Sequence, residues 1–207
     1  MTPDYDLDTA YDINGPADAK KLYDDWASTY DASFADGWGY VAPREIARIM
    51  LAEGGDPTPI LDVGAGTGRV AEHLEGRVVD GFDISSEMLA EAKKKGLYRN
   101  LITGDLTQPL DLPDGAYGGV ISSGTFTHGH VGPGCFPELL RITRPGALFC
   151  CGAIAPVLDG MGFGSTLAML VAEGRISPVR FKVIDIYEGA DHPHAKDRGL
   201  VMVFERL

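Results

Sequence analysis

Cysteine is scarce in this chain: Cys135, Cys150 and Cys151 make an odd count with no framework spacing. Adjacent residues on a strand point to opposite faces, so Cys150 and Cys151 do not bridge each other, and the set predicts a reducing compartment. A basic stripe is missing as well. Lys and Arg number 18 against 30 Asp and Glu, and residues 1–36 hold nine acids against two lysines. Nucleic acids and anionic membranes are bound through clustered positive charge. The one basic run, Lys93-Lys94-Lys95, stands directly before Gly96 and reads as the solvated last turn of a helix. Neither nucleic acid nor a membrane is therefore expected as a partner. Long apolar runs are absent too: the stretch from Ala147 to Leu158 is the longest that is nearly apolar, short of the roughly 20 residues a bilayer requires. The start, Met1-Thr2-Pro3-Asp4-Tyr5-Asp6, lacks the charged-then-apolar order of a signal peptide. These absences predict a soluble, cytoplasmic protein.

What is present suits one globular domain over residues 1–207, with 44% apolar residues to fill a core. Residues 1–16 are rich in aspartate and broken by Asn14-Gly15-Pro16, which predicts a mobile arm. From Asp18 on, Ala19, Leu22, Tyr23, Trp26, Ala27 and Tyr30 fall on one stripe at helical spacing. Gly37-Trp38-Gly39 reads as a flexible joint before a second helix near 43–53. Strands are then expected near 59–63, 77–82, 99–103, 117–122, 147–153, 180–187 and 200–206. Helices are expected near 68–75, 86–95, 133–143 and 161–174. Such alternation predicts an α/β fold, a Rossmann-like, mostly parallel seven-stranded sheet with helices on both faces. The short Gly189–Gly199 link makes the last two strands a hairpin, so the final strand is expected to be antiparallel. His192-Pro193-His194 lies in that link without ordered ligand spacing; it reads as a solvated loop, and no metal site is expected.

The most informative stretch is Ile60-Leu61-Asp62-Val63-Gly64-Ala65-Gly66-Thr67-Gly68, followed by Val79-Asp80-Gly81-Phe82-Asp83. It reads as a buried strand, a glycine turn opening a helix, and a second strand closed by an acid. Such a unit holds an adenosine-containing cofactor at the carboxyl edge of a parallel sheet. Arg69 stands where the dinucleotide fingerprint wants its third glycine.

These residues resemble the class I S-adenosylmethionine-dependent methyltransferases. Asp62–Gly68 is similar to the family's first motif and Asp83-Ile84-Ser85-Ser86-Glu87-Met88-Leu89 to its second. Gly104-Asp105-Leu106 resembles the segment beside adenine, and Leu139–Leu148 the helix, Pro-Gly turn and strand beyond the site. Tyr23–Asp31 and Gly124–Val131 are similar to a subgroup of small enzymes that includes the Williams–Beuren-region methyltransferase-like proteins. Gly118 departs from the pattern, since many relatives carry aspartate there. Ser122-Ser123-Gly124-Thr125 also lacks the Asp/Asn-Pro-Pro-aromatic motif of amino-group DNA methyltransferases.

The resemblance implies S-adenosylmethionine as cofactor, an antiparallel last strand, and an N-terminal helical lid within residues 1–40 over a core of residues 41–207. Gly64, Ala65 and Gly66 would form the turn at the cofactor, with Ser122 at the end of strand four and Met88 in the second motif. Asp83 suits the two hydroxyls of an unphosphorylated ribose, because a carboxylate only accepts hydrogen bonds; capping the next helix is its alternative role. Ile84 and Leu106 offer apolar faces to adenine or belong to the core. Asp105 accepts the adenine amino proton or closes a turn. Asp62 supports the glycine loop or meets the cofactor's ammonium. Tyr30 donates to the carboxylate or, with Trp26, pins the helix to the sheet.

His128 and His130 follow strand four, where an acceptor would meet the methyl group. A base is needed only when the acceptor atom carries a proton, and a histidine suits that task; a backbone-bonded loop histidine is the alternative. The expected function is methyl transfer to a small-molecule acceptor on oxygen, nitrogen, sulfur or carbon. The alternatives are a non-catalytic cofactor-binding or regulatory protein, and an NAD(P)-dependent oxidoreductase. The last would want glycine in place of Arg69 and a Tyr-x-x-x-Lys pair, which the chain lacks.

Overall fold

The computed structural model describes residue 13 and residues 15–127, 130–189 and 191–207. The expected mobile arm falls almost wholly outside them, and so does His128. Helix α1 (Pro16–Trp26) starts on a proline, whose missing N–H is no loss at a helix start, and buries Ala19, Leu22 and Trp26. One wide turn, Asp31–Asp36, follows and buries Phe34 and Ala35. Helix α2 (Ala42–Ala52) buries Ile46, Ala47, Ile49 and Met50 on one side.

Seven strands make a single sheet: β1 (Ile60–Val63), β2 (Val79–Asp83), β3 (Asn100–Thr103), β4 (Tyr117–Phe126), β5 (Thr143–Ala153), β6 (Arg180–Asp185) and β7 (Arg198–Glu205). Their order is β3-β2-β1-β4-β5-β7-β6. The first five run parallel, and β7 lies antiparallel between β5 and β6. The strand order reverses between β1 and β4, which places the crevice at the ends of those two strands. β1 and β2 are buried at every residue, as a sheet covered on both faces requires.

Helix α3 (Ser86–Lys95) coincides with the expected span. The Ser85 hydroxyl accepts the Met88 amide at 3.0 Å, and Gly96 closes the helix with a φ of 65°. Helices α4 (Phe136–Ile142) and α6 (Phe163–Ala172) fall within two other expected spans, and α5 (Ala155–Gly160) is an addition between β5 and α6. Cys150 packs in the cluster that faces α2, while Cys151 joins the larger cluster on the other side of the sheet, so the two thiols are separated by the strand itself. All three cysteines are free and buried.

Three expectations are corrected. No α-helix spans residues 68–75: after the glycine turn the chain makes successive tight turns and a short 3-10 segment, Ala71–His73. Few residues separate Gly68 from the start of β2, and the chain returns to the sheet before an α-helix is established. Lys95 is not wholly solvated, for its ammonium contacts Asp31 at 2.7 Å and Glu72 at 2.6 Å. His192 is not a solvated loop residue either. Its ring lies 4.4 Å from that of Trp38 and 4.8 Å from that of Tyr187, drawn in by the aromatic cluster beneath the hairpin. At the departure noted above, the space a side chain at 118 would need is taken by the Arg144 guanidinium.

Candidate active site

The turn after β1 and the end of β2 are bonded to each other. Gly66 donates its amide to Asp83 Oδ2 at 2.8 Å, and Ser85 donates its amide to Asp83 Oδ1 at 2.8 Å. Burial pushes the Asp83 carboxyl above the usual carboxylate range, against the opposing pull of these amides. Two glycines explain the shape of the turn. At Gly64, with a φ of 69°, an added Cβ would sit 1.8 Å from Thr125 Oγ1, so no other residue fits there. At Gly66, with a φ of 53°, a Cβ would meet nothing within 4 Å; the space it would enter belongs to the site.

That space is a cavity of about 210 Å³ running along the carboxyl rim of the sheet. Of the expected cofactor residues it brings together Tyr30, Gly64, Gly66, Asp83, Ile84, Met88, Asp105 and Leu106 along its wall. His130 also lines it. Asp62, Ala65 and Ser122 lie behind the wall. Ser122 donates its hydroxyl to the Val63 carbonyl at 2.7 Å, tying β4 to β1. The Ala65 amide donates to the Phe82 carbonyl at 3.1 Å. Asp62 is wholly buried; its Oδ2 accepts the Tyr98 hydroxyl at 2.6 Å, while Oδ1 has no hydrogen-bond partner. Burial lifts its pKa to about 7, opposed by the Tyr98 bond and reinforced by the charge of Asp83. Tyr98 also fills the space beside Gly68 and Gly81, so it braces the underside of the glycine turn.

Asp105 has the turn-closing role of its two expected alternatives and also stands at the cavity. Its Oδ1 accepts the Thr107 amide at 2.8 Å and the Thr107 hydroxyl at 2.7 Å, closing a turn, while the residue also lines the cavity. Asp83 does not cap α3 through its side chain, since Ser85 holds that position.

The cover of the cavity comes from the amino-terminal segment. The Trp26 ring lies 5.0 Å from that of Tyr30, and Tyr30 lies 5.2 Å from Phe34. Burial drives the Tyr30 phenol well above its ordinary range, so it stays a protonated donor at neutral pH. Polar contacts fasten this cover to the cofactor rim. Asp31 accepts the Thr67 hydroxyl at 2.6 Å and pairs with Lys95; Arg69 pairs with Asp36 at 2.5 Å; Ser85 donates its hydroxyl to Asp24 at 2.7 Å. Arg69, whose place in the motif argued against a dinucleotide, is thus a clasp for the cover. Gly37-Trp38-Gly39 is pinned as well: Glu188 donates its amide to the Gly39 carbonyl at 2.8 Å, and a bridge joins Tyr40 to Tyr187.

Several site residues escaped the sequence reading. Tyr23 stands 2.9 Å from His130 Nε2, Tyr40 stands 2.9 Å from Ser123 Oγ, and Tyr187 and Leu200 reach the cavity from the hairpin. The helical stripe signalled Tyr23 as apolar surface but not what it faces.

The site has a distinctive charge. Among its described lining residues the only acids or bases besides histidine and tyrosine are Asp83 and Asp105; no Lys or Arg is present. No group of His, Cys, Asp and Glu suited to a metal ion occurs among the described residues. No helix among them is long and apolar enough to cross a membrane.

Comparison with known proteins gives a consistent picture. Residues 61–151 match a family model described as a methyltransferase domain. The chain is 37% identical over 148 residues to human Methyltransferase-like protein 27, covering 68% of this chain and 60% of that protein. It is 36% identical over 84 residues to the Arabidopsis thaliana 18S rRNA (guanine-N(7))-methyltransferase RID2, covering 40% of this chain and 29% of that one. The chain therefore spans less than two thirds of the length of these curated relatives. Among solved structures, a Burkholderia thailandensis 1,6-didemethyltoxoflavin-N1-methyltransferase, with bound 1,6-didemethyltoxoflavin and S-adenosylhomocysteine, superposes with a TM-score of 0.61. That likeness covers 89% of this chain and 87% of the other at 22% identity, and it speaks for the fold.

Proposed function

We propose that the chain is a class I S-adenosylmethionine-dependent methyltransferase, in line with the methyltransferase-domain match over residues 61–151 and the 37% identity over 148 residues to Methyltransferase-like protein 27, and that it transfers the cofactor's methyl group to a small-molecule acceptor, leaving S-adenosylhomocysteine. The observation that carries this reading is the bonded pair of Asp83 and Gly66 beside a cavity whose fixed charges are negative. A carboxylate at that place accepts from ribose hydroxyls and opposes a phosphate. Two acids and no Lys or Arg favour a cofactor with net positive charge and disfavour the pyrophosphate of a nicotinamide dinucleotide.

The residues fit the cofactor. The open side of Gly66 leaves room for close approach, Asp83 receives the ribose, and Ile84, Leu106 and Asp105 border the adenine. Tyr30 supplies a donor for the methionine carboxylate. Gly64, Ala65, Met88, Asp62 and Ser122 shape and brace that surface from the turn, the α3 start and behind the wall. When bound, S-adenosylmethionine supplies an electrophilic methyl on a sulfonium, whose departing sulfur needs no proton. The chain's part is to align the acceptor and exclude water, worth about 7–11 kcal/mol when the geometry is near attack. The aromatic cover of Trp26, Tyr30 and Phe34 excludes water. When the acceptor atom carries a proton, His130, in contact with Tyr23, accepts it as the new bond forms. His128, the other candidate base, lies outside the described residues.

A small acceptor is favoured over RNA by the acidic amino-terminal segment and by the cover fastened to the rim at Thr67 and Arg69. Incubation of the chain with methyl-labelled cofactor and a cell extract tests the reading. Label is expected in the small-molecule fraction. Label confined to RNA or protein would contradict the acceptor class, and cofactor binding without any labelled product would favour a non-catalytic binding protein.

A further inference from the structure

We propose that the acceptor is an uncharged, largely apolar molecule, held in the half of the cavity over β4, β5, β7 and β6; this rests on the methyltransferase reading above. Strand order divides the cavity. Asp83 closes β2 and Asp105 follows β3, so both fixed charges stand on one side of the switch point between β1 and β4. Beyond that point the wall is built by Tyr40, Ile154, Ile184, Ile186, Tyr187 and Leu200, with no acid, lysine or arginine among the described lining residues. Because β7 runs antiparallel, its second and third residues, Gly199 and Leu200, come to the same rim as the end of β5 and complete this wall.

The chemistry of that wall selects by desolvation. A carboxylate or ammonium entering it would lose its hydration and meet no counter-ion, a cost that a neutral molecule avoids. The tyrosine and tryptophan faces of the cover favour a cation, since aromatic rings attract ammonium groups. The cofactor's own positive sulfur opposes that choice, because the acceptor must lie against it. The polar side-chain points beyond the switch point are the His130 imidazole, 2.9 Å from the Tyr23 hydroxyl, and hydroxyls such as the Tyr40–Ser123 pair at 2.9 Å, which orient one polar atom of an otherwise apolar molecule.

Three phenols that differ only in the charge of a three-carbon tail test this: 4-propylphenol, 3-(4-hydroxyphenyl)propionate and 4-(3-aminopropyl)phenol. Each is titrated calorimetrically into the full chain saturated with S-adenosylhomocysteine. The neutral phenol is expected to bind at least about tenfold more tightly than either ion. Equal or tighter binding of the carboxylate or the ammonium, or no binding of the neutral phenol, overturns the proposal. In a second arm, Leu200→Lys is expected to raise affinity for the carboxylate at least about tenfold while S-adenosylhomocysteine still binds. No gain in a variant that still binds S-adenosylhomocysteine counts against the wall being the acceptor site, and if the variant fails to fold the phenol series decides. Failure of S-adenosylhomocysteine to bind the native chain defeats the methyltransferase reading itself, which separates that outcome from a wrong acceptor class.

Discussion

Asp83 Oδ2 and the Gly66 amide are joined by a hydrogen bond of 2.8 Å, which ties the end of the second strand to the turn after the first. The bond fixes the turn with its open side toward the cavity and holds a carboxylate where a ribose would lie. Replacing Asp83 by Ala removes the proposed acceptor of the ribose hydroxyls and releases the Gly66 amide. Cofactor affinity is expected to fall by roughly 1–3 kcal/mol, read by calorimetry. An unchanged dissociation constant in the folded variant would contradict the ribose assignment.

The two glycines of the turn separate folding from binding. Gly64→Ala drives a Cβ into Thr125 Oγ1, whose hydroxyl is itself bonded to the Val63 carbonyl at 2.8 Å. Its thermal midpoint is expected to drop sharply. Gly66→Ala meets no atom, so its folding cost is limited to the positive φ, about 1–2 kcal/mol, and its main effect is expected on cofactor affinity. Equal loss of midpoint in the two variants would show that Gly66 does not face the site as described.

Asp62 gives a pH signature. Its folded pKa is raised to about 7, well above the value of an unfolded aspartate, so the folded state holds a proton that the unfolded state has already released. Stability from this group is lost as pH rises from about 4 to about 7, at up to about 1.4 kcal/mol per unit. Carboxylates with lowered values, such as Asp80 beside Arg99, act in the opposite sense. The difference between native chain and Asp62→Asn isolates the effect: denaturant unfolding should show the variant gaining relative stability as pH rises through this range. A constant difference across the range would remove Asp62 as the cause.

Asp31 is the clasp of the proposed lid, bonded to Thr67 and paired with Lys95. Both partners of the pair are partly exposed, so its loss is expected to cost no more than about 1 kcal/mol of global stability. Locally the effect should be larger. Amide exchange across residues 16–36 is expected to quicken in Asp31→Ala and to slow in the native chain when cofactor binds. Exchange that responds to neither change would show that this segment is not a lid.

β1, β2, β4, β5 and β7 were legible as largely apolar, largely buried runs set off by glycine, proline or charge, whereas the edge strands β3 and β6 are largely exposed or half-buried; the final hairpin was legible from its short link. The helix expected over 68–75 was not present, although Arg69, Ala71, Glu72 and Leu74 favour one. Tertiary geometry overrode propensity there, with the chain turning back early to β2 and Arg69 held by Asp36. The motif residues Gly64, Gly66 and Asp83 were readable because their chemistry is local. Asp31–Thr67 and Asp62–Tyr98, each 36 residues apart, and Tyr23–His130, 107 apart, were not, for a single sequence carries no record of which distant side chains meet. The helical stripe placed Tyr23, Trp26 and Tyr30 on one face without showing that this face covers a cavity.

The most direct test titrates the native chain with S-adenosylmethionine and, separately, with NADH. Saturable binding of the sulfonium compound and none of the dinucleotide is the predicted result. Binding of NADH with no response to S-adenosylmethionine would contradict the account at its root.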